Sequence, residues 1–73
     1  MKRTKYIIEN ENTTEEYVSE HNLFAHNIEG AKFFNYKKDA KEYIKTNDLE
    51  FHLGVKLFVS KIIIVSIVYH KCY

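Results

Sequence analysis

The strongest pattern in the chain lies near its end. Between Val55 and Tyr69 the odd positions Val55, Leu57, Val59, Ile63, Val65, Ile67 and Tyr69 form an apolar face interrupted only by Lys61. The even positions Phe58, Ile62, Ile64 and Val68 form a second one, with Lys56, Ser60, Ser66 and His70 among them. Alternation rich in Ile and Val, without Gly or Pro, predicts a β-strand. A strand apolar on both faces is central in its sheet or covered by a second chain. The run exceeds the usual strand of roughly 3–10 residues, so it bends near Ser60–Lys61 or folds into a hairpin.

Weaker alternation over Arg3 to Glu9 predicts a first strand, with Tyr6 and Ile8 on one face and Ile7 on the other. The polar stretch Asn10 to Thr14 reads as a turn, because Asn tolerates the left-handed backbone that turns demand. A second strand resumes through Tyr17 and Val18, pauses at Glu20-His21-Asn22 and continues through Leu23-Phe24-Ala25. Asn27 is placed to cap a short helical turn over Ile28 to Phe33. Asn35 is placed to cap a helix ending near Asn47, in which Tyr36, Ala40, Tyr43 and Ile44 recur at helical spacing. These elements predict one α+β domain over residues 1–73, an antiparallel sheet of three to four strands with one main amphipathic helix on one face. A single helix leaves the other face bare, so self-association is expected, most simply a homodimer through Phe58, Ile62, Ile64 and Val68.

Composition narrows the class. Hydrophobic residues make up 45% of the 73 positions and charged ones 29%, which places the chain outside the disordered regime. The abundance of Lys, Asn, Ile, Tyr and Phe over Gly, Ala, Arg and Pro is what AT-rich coding produces. One cysteine, Cys72, forms no internal disulfide, and the basic start MKRTKYIIEN lacks the apolar stretch of a signal peptide. A cytoplasmic protein, with no membrane partner, is the expectation. The formal net charge of +1 argues against a nucleic-acid coating protein.

The succession YIIENEN, YVSEHNLFAHNIEGAKFF, NYKKDAKEYIK and KIIIV resembles the small accessory proteins of Gram-positive phages and mobile elements. In those a tyrosine-rich hairpin, an N-I-E-x-A-K-x-F stretch, an A-x-x-Y-I-K helix and a final Ile/Val strand follow one another. The resemblance implies an accessory protein from a class that includes inhibitors of host defence such as anti-CRISPR proteins. It carries over no functional residue.

Candidate chemistry is sparse. His21 with His26, and His70 with Cys72, are half-patterns of a zinc site, but the second pair sits at the chain end, and surface histidines with a free thiol are the better reading. Catalysis by Cys72 needs a positioned base and a pocket, and Glu15–Glu16 sit in a polar turn, so no enzymatic activity, metal or cofactor is expected.

Charge distribution says more than net charge. Between Tyr6 and Ala31 lie six acids and no Lys or Arg, whereas from Lys32 onward eight lysines face four acids. The acidic hairpin bearing Glu9, Glu11, Glu15, Glu16 and Glu20 suits a basic protein surface, such as the nucleic-acid channel of a host nuclease. The expected function is therefore a stoichiometric inhibitor acting by occlusion. Two alternatives stand beside it. Lys37, Lys38, Lys41 and Lys45 suit phosphate in a nucleic-acid accessory protein, and an oligomer with aromatics at its interface suits a sequestered small anionic ligand.

Overall fold

The computed structural model describes residues 2–13 and 15–72. Along the chain it places β1 (Lys2–Asn10), β2 (Tyr17–Val18), β3 (Phe24–Ala25), a 3₁₀ turn (Ile28–Gly30), α1 (Lys37–Thr46), α2 (Leu49–Leu53), β4 (Leu57–Val65) and β5 (Val68–Cys72). The five strands form one antiparallel sheet in the order β3-β2-β1-β4-β5. The α+β class agrees with the sequence reading, but the sheet has five strands, not three to four.

Two reversals account for the difference. After β2 the chain turns back at Asn22, whose φ of 58° is left-handed, so Phe24–Ala25 pairs with Tyr17–Val18 as a new strand. The long apolar run is a hairpin, closed by the two residues Ser66 and Ile67 between the paired Val65 and Val68. Ser66 has φ 58° and Ile67 has no positive φ, the pattern of a type II′ turn, which matches the twist of the strands on either side. Of the two alternatives expected for this run, a bend near Ser60–Lys61 or a hairpin, the hairpin forms, and β4 passes Ser60–Lys61 without a bulge, in register with β1 from Lys2↔Val65 to Asn10↔Leu57. Thr14, the last residue of the expected first turn, lies outside the described residues.

The sheet has two cores, one on each face, set by the period-2 alternation of its strands. Tyr6, Ile8, Val18, Leu57 and Val59 face the helices, where Ala40 of α1 and Leu49 of α2 are buried among them. Ile7, Tyr17, Ile62 and Ile64 face the other way, beneath Ile28, Ala31 and Phe33. The segment between β3 and α1 supplies this second cover. It runs along β1, where Tyr6 and Phe34 exchange backbone hydrogen bonds of 2.8 Å, so that Phe33 and Phe34 point to opposite faces. Phe33 reaches across to stack on Tyr69 of β5 with ring centroids 5.9 Å apart. Ile62 and Ile64, expected to meet a second copy, are therefore 0% and 3% exposed within their own chain.

The helices differ in detail from the reading of their caps. Tyr36 occupies the N-cap of α1 without a side-chain bond, while Asn35 accepts a hydrogen bond from Lys5 Nζ. Asn27 likewise precedes the 3₁₀ turn without capping it through its side chain. Of the expected α1 stripe, Ala40 is buried and Tyr43 and Ile44 are half-buried, but Tyr36 stands in solvent. Tyr43 Oη donates to Asn22 Oδ1 at 2.6 Å, fastening α1 to the β2–β3 turn. The five-residue α2 lies in a stretch too short to show a helical period in the sequence. It ends at Gly54, whose φ of 70° suits the left-handed residue that closes a helix and turns the chain into β4. Glu50 Oε2 then accepts the amide of Leu57 at 2.8 Å, holding α2 to the start of β4.

Candidate functional site

The acidic segment foreseen as a partner surface divides in two. Glu9 sits on the sheet face of Ile7, and its side chain is 4% exposed. One carboxylate oxygen, Oε2, accepts from Ser60 Oγ of β4, and the other accepts from Lys71 Nζ of β5 at 2.9 Å. The Lys71 ammonium also lies 4.7 Å from the centre of the Tyr17 ring. Side chains from four strands thus converge here, and the charges of Glu9 and Lys71 answer one another. Glu9 is a structural ion pair, and the expectation that it meets a partner is corrected: burial next to its own lysine removes it from the surface. Glu16 is also occupied, since its Oε1 accepts from Asn10 Nδ2 at 2.9 Å.

Glu11 and Glu15 remain outward. They lie on a turn fixed at both ends, with the Asn10 amide donating to the Glu16 carbonyl at 3.0 Å and the Glu11 amide to the Lys56 carbonyl at 2.8 Å. Asn10 Oδ1 accepts the Asn12 amide at 2.9 Å and tightens the corner. Between this turn and β4 and β5 lies a groove of about 540 Å³, lined by Glu9, Glu11, Glu15, Phe58 and Lys71 among others. Glu20 is exposed in the turn between β2 and β3, outside this groove.

The other expected residues fall elsewhere. Lys37, Lys38, Lys41 and Lys45 are all exposed on α1, interspersed with Asp39 and Glu42. Phe58 and Val68, 36% and 50% exposed, keep the accessibility that Ile62 and Ile64 lack. His21, His26 and His70 are exposed and Cys72 is half-buried. Among the described residues no helix is long and apolar enough to cross a membrane.

Ser60, Lys71 and Tyr17 escaped the sequence reading as a group. Their signal is faint but physical. Ser60 interrupts the even face of β4, and Glu9 interrupts the odd face of β1. Register decides whether two such interruptions meet, and here Ile7 opposes Ser60 and Glu9 opposes Phe58, which leaves Glu9 and Ser60 diagonal neighbours.

No protein-family model matches the chain, and no curated protein or solved structure is significantly similar to it.

Proposed function

We propose that this protein acts by stoichiometric attachment to another protein, as a phage or mobile-element inhibitor that occludes a basic surface of a host protein, such as a nuclease, in the host cytoplasm. The observation that supports this reading is the pair of exposed acids, Glu11 and Glu15, at the first turn. Glu11 and Glu15 are exposed on the groove that Phe58 also lines, with the chain tied beside them at Asn10 and Glu11, while Lys71 of the same groove pairs with Glu9. Exposed charge beside an exposed aromatic side chain suits recognition, because complementary charge raises the on-rate. Glu11 and Glu15 form the centre of this surface, and Glu20 lies apart from it.

The reading is tested by immobilising wild-type protein and the double variant Glu11→Lys/Glu15→Lys, and passing over each a lysate of the bacterial host. The expected result is a protein retained by the wild type, lost from the double variant and kept by Glu20→Lys. Equal retention by all three, or retention of nucleic acid that Lys37→Glu/Lys41→Glu abolishes, overturns it.

A further inference from the structure

The two outer strands of the sheet are not alike. At one side β3 has two residues and passes at once into the turn at His26. At the other, β5 presents five residues with no bulge, since each pairs in turn with β4 from Val65↔Val68 to Lys61↔Cys72. An edge of this kind is a template for another strand unless something blunts it. Lysine is a common blunting residue, but Lys71 is drawn onto the sheet face by Glu9 at 2.9 Å. Beside the edge the tip of the hairpin is apolar and bare, with Ile67 85%, Val68 50% and Val65 38% exposed.

The backbone of β5 sets what fits it. A two-residue turn closes on a hydrogen-bonded pair, here Val65 and Val68, and in an antiparallel ladder bonded and non-bonded pairs alternate. The amides and carbonyls of Val68, His70 and Cys72 therefore point to β4, and those of Tyr69 and Lys71 point outward. We propose that a second copy of this chain occupies this edge, with the two β5 strands antiparallel about a twofold axis at His70, making one continuous sheet across the dimer. In that register Tyr69 of each copy faces Lys71 of the other as a hydrogen-bonded pair, so all the outward groups of Tyr69 and Lys71 are satisfied. Sliding the strands by two residues in one direction sets Lys71 against Lys71, placing like charges opposite one another. Sliding them in the other direction sets Lys71 against Ile67, which lies in the turn, outside the ladder. The symmetric register is therefore the self-complementary one in hydrogen bonds, and it keeps the two lysines from directly opposing one another. It also places half-exposed Val68 opposite Cys72 of the second copy, on the sheet face that carries the apolar tip.

This surface differs from the one first expected. Ile62 and Ile64 take no part, being covered by Ile28, Ala31 and Phe33, and the contact runs along an edge instead of across a face.

His70 gives the test, because it is exposed in the single chain and meets its own symmetry mate, with Cα atoms about 4.5 Å apart in a non-bonded pair. Sedimentation equilibrium at neutral pH and micromolar concentration compares the wild type, His70→Glu, His70→Lys and an equal mixture of the two variants. The wild type is expected at twice the 8.7 kDa of the chain, each variant alone at the single mass with an unchanged circular dichroism spectrum, and the mixture again at the double mass. A monomeric wild type overturns the dimer. Variants that still dimerise alone, or a mixture that stays monomeric, overturn the register. Loss of Glu11 and Glu15 leaves the dimer intact, so this outcome is read independently of the proposed function.

Discussion

Replacing Lys71 by methionine keeps an unbranched chain of similar length and removes the ammonium. Glu9, with a side chain 4% exposed, then keeps Ser60 as its partner on Oε2 and loses the cation on Oε1. Removing one member of a buried pair costs about 3–5 kcal/mol when the other charge stays dry. Here the Lys71 side chain is 21% exposed and the groove admits water, so about 2–3 kcal/mol is the appropriate figure. Loss of the contact with the Tyr17 ring adds roughly 0.5–1 kcal/mol. Glu9→Gln is milder, about 1–2 kcal/mol, because the amide still accepts a hydrogen bond and the lysine reaches solvent.

The double variant decides the mechanism. With the carboxylate gone no buried charge remains, so Glu9→Gln/Lys71→Met is expected to be more stable than Lys71→Met alone. Thermal unfolding followed by circular dichroism reads this directly, since 1 kcal/mol shifts Tm by about 4–8 °C in a domain of this size. A Lys71→Met variant within about 0.5 kcal/mol of wild type, or a double variant less stable than it, refutes the claim that Glu9 is desolvated and held by its lysine.

Three further expectations rest on local geometry. A Cβ on Gly30 would lie 2.9 Å from Ala25 Cβ, so Gly30→Val is expected to destabilise by about 1–3 kcal/mol in urea unfolding, and a neutral result would mean that the 3₁₀ turn is not pressed on β3. Tyr43→Phe removes the 2.6 Å bond to Asn22 and is expected to cost about 0.5–1.5 kcal/mol, with faster amide exchange at the β2–β3 turn by NMR. Ser66→Gly relieves the positive φ of the β4–β5 turn and is expected to raise stability by up to about 1 kcal/mol, whereas Ser66→Val lowers it.

What the sequence disclosed and what it withheld follow from where each property resides. Strand alternation is local, so the opposed faces of Tyr6 with Ile8 and of Ile7 were legible, as were the main helix around Ala40 and the excess length of the final apolar run. The cover on the second face was not, because Ile28, Ala31 and Phe33 belong to a segment with neither helical nor strand period, and only the β1 edge gives it a course. That segment is why Ile62 and Ile64 are internal and not free for a second copy. The acidic run was legible as composition but not as geometry. Glu9 and Glu11 are two residues apart, yet one faces Ser60 and Lys71 at the sheet and the other faces solvent, a distinction set by the register of strands about fifty positions distant in sequence.

The account of function turns on whether exposed Glu11 and Glu15 steer the protein onto a basic protein surface. The measurement that tests this most directly is the association rate of the retained host protein with wild type and with Glu11→Lys/Glu15→Lys, at low and at high salt. The account predicts an on-rate that falls by about tenfold or more in the variant at low salt, with the difference shrinking as salt screens the charges. An on-rate that is the same for both proteins and indifferent to salt would contradict it.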